Sequence, residues 1–306
     1  MIVTVTLNPA VHVGYEARQV SLGAANLVSR VAYRAGGRGL AVARVLHAFG
    51  HDVTAAGLAG GAAGEMIRSD LAASGVATQF TRIAMESRRV LEVADAFTGT
   101  VTTFGEPAPY ITTEELGRLA ADYRDLMDGA TAAVLCGSLP DGLPPEIYGT
   151  FASYAAEAGV PAILDAGGMP LLHGLARRPA LAVPEPLAAG AAADAGTLIA
   201  SGVGAVAYVS DEAVRVVTAE GEWHAHLVAQ EQPGPAWSRD AMVAGFVPGI
   251  VLGWSWPDML AHAVALASAT LRTGEVDLDA YERRLPDVRI DAPPSGQAGQ
   301  AHPVWN

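Results

Sequence analysis

The chain has 306 residues, 51% of them hydrophobic and 17% charged, which is material for one large domain or two small ones and excludes a mostly disordered polymer. Acids outnumber bases 32 to 19, and the resulting charge of −13 argues against nucleic-acid or anionic-membrane partners, whose phosphates need a basic footprint. All 19 bases are arginine, so lysine Schiff-base chemistry and phosphate-loop lysines are excluded.

Residues 1–7 alternate as a strand rather than as a signal peptide. Residues 11–35 carry short runs of mixed polarity. Gly36-Gly37-Arg38-Gly39 then opens an apolar helix over 40–49, stopped at Gly50. A strand over 51–58 ends in Gly60-Gly61-Ala62-Ala63-Gly64, which lacks the dinucleotide spacing and reads as packing of helix on sheet. A helix over 65–74 stops at Gly75. Residues 88–104, rich in Val, Thr and Phe around Thr98-Gly99-Thr100, predict a hairpin.

From there helix and strand alternate. Thr112 and Thr113 with Glu115 cap a helix through Leu126. A buried strand over 132–136, a helix over 144–158 and a strand over 161–165 follow. Strands are predicted over 205–210 and 214–218, then a long helix from Asp240 and another over 262–272. The longest apolar stretch, 241–254, falls short of the ~20 residues of a membrane span. Gly245, Pro248, Gly249 and Gly253 interrupt it, so it reads as a buried helix kinked at Pro248.

Alternating βα units predict a doubly wound, mostly parallel sheet flanked by helices. Strand-rich stretches at about 11–34 and 87–107 break that rhythm and predict a small second sheet. One domain is expected over 1–292, with a loosely ordered tail over 293–306. The single cysteine, Cys136, excludes an intrachain disulfide and fits a cytoplasmic protein. No histidines show metal-ligand spacing; His224-x-His226 reads as a surface pair, and no metal site is expected.

Several segments together carry a resemblance: Thr6-Leu7-Asn8-Pro9-Ala10, Gly36-Gly37-Arg38-Gly39, Glu86-Ser87-Arg88, Gly137-Ser138-Leu139-Pro140, Leu164-Asp165 and Asp240 to Phe246. The chain resembles the ribokinase-like (PfkB) carbohydrate kinases, and within them the 1-phosphofructokinase and tagatose-6-phosphate kinase branch. The resemblance implies a ribokinase-like α/β fold with a small β-sheet lid, and a homodimer formed through that lid. It also implies transfer of the γ-phosphoryl group of ATP, with Mg, to a hexose phosphate. Asp240 falls at the base position, with Arg239 beside it as a substitute anion clamp. His12, Gly36, Gly37, Arg38, Arg88 and Ser138 fall on the substrate side, and Glu185, Ser210 and Ser238 on the nucleotide side.

The motifs are also degenerate. The run before Asp240 is Trp237-Ser238-Arg239 where the family has Gly-Ala-Gly, whose amides make the anion hole. His12 stands for an aspartate, Arg38 for a lysine, Ala41 for an asparagine and Val183-Pro184-Glu185 for Lys-Pro-Asn. Asp211-Glu212 adds acids to the nucleotide loop. Losing one oxyanion-type donor commonly costs ~10²–10³ in rate. Two functions are therefore expected: an impaired sugar-phosphate kinase, or a catalytically silent relative that binds a sugar-phosphate-like ligand for sensing or regulation.

Overall fold

The computed structural model describes residues 1–185, 194–210, 213–228, 238–271 and 275–291. Its centre is β1 (Ile2–Thr6), which is β-branched at every position and buried throughout. It pairs in parallel with β4 (Val53–Gly60) on one side and β8 (Ala132–Cys136) on the other. All three strands are buried at every position, as strands covered on both faces must be.

Beyond β4 lies β5 (Ala77–Ile83). Beyond β8 come β9 (Ala162–Asp165), β10 (Leu181–Ala182) and β11 (Ala205–Val209), all parallel. Then β12 (Ala213–Thr218), β13 (Glu222–Leu227) and β14 (Val288–Asp291) finish a ten-stranded sheet as an antiparallel edge.

Helices cover both faces. Apolar side chains of α1 (Arg38–Ala48), α2 (Gly61–Ala73), α7 (Arg239–Leu252) and α8 (Trp256–Ala269) fill one layer. Those of α3 (Thr113–Met127), α4 (Ile147–Glu157), α5 (Gly168–Leu175) and α6 (Ala195–Ala200) fill the other. β1 feeds both, with Ile2 on the first side and Val3 and Val5 on the second. The first turn of α1 rests on β1: a Cβ at Gly39 would stand 2.5 Å from Thr6 Oγ1. That contact brings Arg38 to the carboxyl ends of β1 and β8.

The stretches that break the βα rhythm form a separate sheet in the order β3-β2-β6-β7, from β2 (Ala10–Ala17), β3 (Val28–Gly36), β6 (Arg88–Asp95) and β7 (Thr100–Gly105). The turn between β6 and β7 carries Gly99 at φ 71°, in the left-handed region. Thr112 and Glu115 close a reciprocal capping box at α3. α7 runs through Pro248 as one helix, buried from Ala241 to Gly249, and ends at Gly253 with φ 69°.

Some boundaries differ from the sequence reading. The helix expected from Pro144 starts at Ile147, after a turn in which Ile147 N donates to Pro144 O. α2 starts four residues early, at Gly61, because the Glu86 carboxylate accepts from Ala62 N and Ala63 N and caps it from outside. β5 and β14 had no alternation strong enough to announce them. The tail over 293–306 lies outside the described residues. Among the described residues no helix is long and apolar enough to cross a membrane.

His262 on α8 offers a test of this packing. Its Nδ1 lies 2.7 Å from Tyr281 Oη, and Phe49, Trp254 and Tyr281 meet its ring edge-on. Burial, helped by His51, lowers its pKa from the ordinary 6.5 to about 4. A depressed histidine gives its full stabilisation above 6.5 and loses it as pH falls towards 4. Between pH 7 and 5 this amounts to about 2 kcal/mol. Urea unfolding at the two pH values should show that loss, and His262→Gln should flatten the difference.

Candidate active site

In a doubly wound sheet, ligands bind beyond the carboxyl ends of the strands, where the winding reverses. Here that place is the carboxyl end of β1, between β4 and β8, and its chemistry centres on Asp165, the last residue of β9, the strand beyond β8. Asp165 is fully buried. Its Oδ1 accepts from Arg38 Nη1 at 3.1 Å, from Arg239 Nε at 3.1 Å and from Arg239 Nη2 at 2.8 Å. Arg239 Nη2 also donates to the Val183 and Pro184 carbonyls, both at 2.8 Å. Arg38 Nη1 is shared with Glu185 Oε1 at 3.1 Å. One carboxylate thus joins the first residues of two helices, α1 and α7, to the strand between them. Burial opposes the charge on Arg38, but Asp165, Glu185 and Asp240 outweigh it, and its pKa is raised.

Asp240 occupies the first turn of α7, in the field of the same groups. Ser238 caps this helix, its side chain accepting from Ala241 N at 3.2 Å. Burial, and then the charge of Asp165, push the Asp240 carboxyl up to about 7, against the pull of Arg38 and Arg239. A carboxylate that exchanges its proton near neutrality has the affinity a general base needs.

The substrate-side residues fall in two groups. His12 on β2 packs its ring against Gly36, where any Cβ would collide with the imidazole. Its Nδ1 is 3.7 Å from Glu92. Burial lowers its pKa; Glu92 works the other way, and Arg88, Arg34 and Arg44 add to the lowering. The ring is therefore neutral at pH 7. Arg88 opens β6 opposite Ala10, and burial lowers its pKa. Among the described residues its Nε is buried without a partner.

Asn8 and Ser138 meet just beyond the carboxyl ends of β1 and β8, with Asn8 Nδ2 donating to Ser138 Oγ at 3.3 Å. Gly37, at φ 138°, is the N-cap of α1 and accepts from Ala41 N. Arg38 is engaged by Asp165 and Glu185, whereas Arg88 acts through its charge on His12.

On the nucleotide side, Glu185 joins the arginine cluster, Ser238 serves as a helix cap, and Ser210, among the described residues, bonds to Ala213. Trp237, Asp211 and Glu212 lie outside the described residues. No three His, Cys, Asp or Glu side chains gather to hold a metal ion among the described residues. The two other carboxylates of the cluster, Asp165 and Glu185, are taken up by arginines. These residues do not fit a magnesium site of their own, and no step is routed through the ion.

The residue that sequence reading left without a role is Asp165. A signal was present: an acid closing the apolar strand Ala162-Ile163-Leu164, at the end where such folds bind ligands. If its charge raises Asp240 as described, Asp165→Asn should bring the Asp240 midpoint below about 7, and Arg239→Gln should raise it. Carbon-13 NMR titration of the aspartate carboxyls would read both shifts.

Residues 9–220 match the family described as pfkB family carbohydrate kinase. The tagatose-6-phosphate kinase of Staphylococcus epidermidis (strain RP62A) is 36% identical over 171 residues, covering 56% of this chain and 54% of the relative. That aligned part spans about half the length of the curated relative. Phosphofructokinase-2 from Escherichia coli, solved with potassium, superposes at TM-score 0.85 with 23% identity, covering 93% of this chain and 98% of that one. A carbohydrate kinase from Agrobacterium tumefaciens gives 0.74 at 15% identity, covering 94% and 99%. The ribokinase-like architecture and the family match agree, and the chain belongs to the pfkB family of carbohydrate kinases.

Proposed function

We propose that the chain is a cytoplasmic sugar-phosphate kinase of reduced power, acting on a hexose phosphate such as tagatose 6-phosphate or fructose 1-phosphate with Mg-ATP as donor. The observation that carries this reading is Asp240: a partly buried carboxyl in the first turn of α7, poised at about 7, with Arg38 and Arg239 in its field. Ionised Asp240 takes the proton of the acceptor hydroxyl as that oxygen bonds to the γ-phosphorus, and ADP leaves with the electrons of the broken P–O bond. The first turn of α7 directs its amide dipoles at the developing charge. Arg88, with its buried Nε unpartnered among the described residues, and neutral His12 offer polar groups to the sugar phosphate.

The reduction in power follows from Arg239. A guanidinium that already serves Asp165 and two carbonyls has little left with which to replace an amide anion hole. The same observation favours a second reading, a silent member that binds a sugar phosphate for sensing or regulation.

A coupled ADP-release assay with both hexose phosphates separates the two. Slow turnover should climb with pH through about 7 as Asp240 ionises, and Asp240→Asn should lower it about 10²–10⁴-fold. No turnover, together with calorimetric binding of the hexose phosphate alone, would leave the silent reading.

We also propose that two copies meet through the second sheet. Val31, Tyr33, Val101 and Phe104 expose apolar surface there, and β3 and β7 leave open edges. Light scattering should give twice the chain mass; a monomer at working concentration would refute this.

A further inference from the structure

The cluster at the end of β9 is balanced without any ligand. Two guanidiniums, Arg38 and Arg239, face two carboxylates, Asp165 and Glu185, and Asp240 adds a third acid. A phosphorylated ligand arriving there finds its counter-charge already used.

The two balancing carboxylates are not alike. Asp165 is fully buried and holds three charge-assisted hydrogen bonds on one oxygen, so it belongs to the frame. Glu185 is 36% exposed at its side chain and has one cationic partner among the described residues, Arg38 Nη1 at 3.1 Å. Ion pairs this open to water contribute little and exchange readily.

Glu185 also lies where an anion would lie. It crowds Gly167, the N-cap of α5, so closely that a Cβ there would collide with its Oε2. A helix N-terminus beside a guanidinium is a favourable place for negative charge. Nearby, Arg239 Nη1 is buried and without a partner among the described residues, a donor left over for an incoming oxygen.

We propose that Glu185 is an internal stand-in for a phosphate group: it occupies the Arg38 anion position and sets the affinity of the cleft for phosphate-bearing ligands by competing with them. The proposal rests on the cleft being the ligand site of the kinase reading, but it makes no use of turnover. A ligand phosphate binds by displacing the Glu185 carboxylate from Arg38 into water.

The test is calorimetric titration of the full chain with inorganic phosphate and with fructose 1-phosphate, each in EDTA and in magnesium. Glu185→Gln and Glu185→Ala, changes at a partly exposed side chain, should both tighten phosphate binding about tenfold. Adding Arg38→Gln should abolish the gain. Unchanged affinity in both variants would overturn the proposal. Weaker affinity would overturn it too, and weakening confined to magnesium would identify Glu185 as a ligand on the metal side. Tighter binding with no phosphotransfer to fructose 1-phosphate would uphold the proposal while removing the kinase reading.

Discussion

The arrangement of the cleft depends on one oxygen, Oδ1 of Asp165, and on the two arginines that share it. A carboxylate with no exposure pays a desolvation cost of several kcal/mol, which only well-aligned partners offset. The arginines reach Oδ1 from different directions, while Oδ2 is buried without a partner among the described residues. Arg38 comes from the N-terminus of α1, held by the contact of Gly39 on Thr6, and Arg239 from the N-terminus of α7, held by the Ser238 cap and the carbonyls of Val183 and Pro184. Removing Asp165 would leave the Arg239 guanidinium without its carboxylate, and breaking a buried pair in this way commonly costs about 3–5 kcal/mol. The ion pair therefore fixes the relative placement of α1, β9 and α7, and with them the position of Asp240.

The same network explains why electrostatics rather than shape dominates the chemistry of the cleft. Asp240 is pushed towards protonation by burial and by Asp165, and drawn back by two guanidiniums. Its proton affinity is the small remainder of opposed effects. Substitutions far from any substrate can therefore change the working pH without moving the base. The chain's lack of lysine sharpens this. An ammonium is a point charge that can swing away, whereas a guanidinium bound through two nitrogens to one carboxylate keeps its direction.

Much of the fold was legible because it rests on short-range rules. The all-β-branched β1, the strand over 132–136, the capping box at Thr112 and the turn at Gly99 each carry their own local signal. β5 and β14 were not legible, since they follow from the partners they find rather than from an alternation of their own. At the site, residue types could be read but their mutual engagement could not. Arg239 and Asp165 are 74 positions apart, and Arg38 and Asp165 are 127 apart. Nothing in either neighbourhood announces that one carboxylate serves both. Arg239 read in isolation suggests a free clamp for an anion; in the fold it is a structural tie with one donor remaining.

A pattern recurs at two helix N-termini of this acidic chain. At α2, Glu86 takes the amides of Ala62 and Ala63 and also pairs with Arg89; at α5, Glu185 presses on Gly167 and pairs with Arg38. Each position has the glycine backbone and adjacent cation that suit a phosphate, and each is filled by a glutamate from elsewhere in the chain. The two differ in what holds the glutamate. Glu86 has backbone donors that tie it to the fold, so an arriving anion would have to break hydrogen bonds and uncap a helix. Glu185 gives up one ion pair on a partly exposed carboxylate and gains water. Displacement is therefore cheap only at Arg38, the position nearest Asp240, and the selectivity of the cleft for charge follows from that difference.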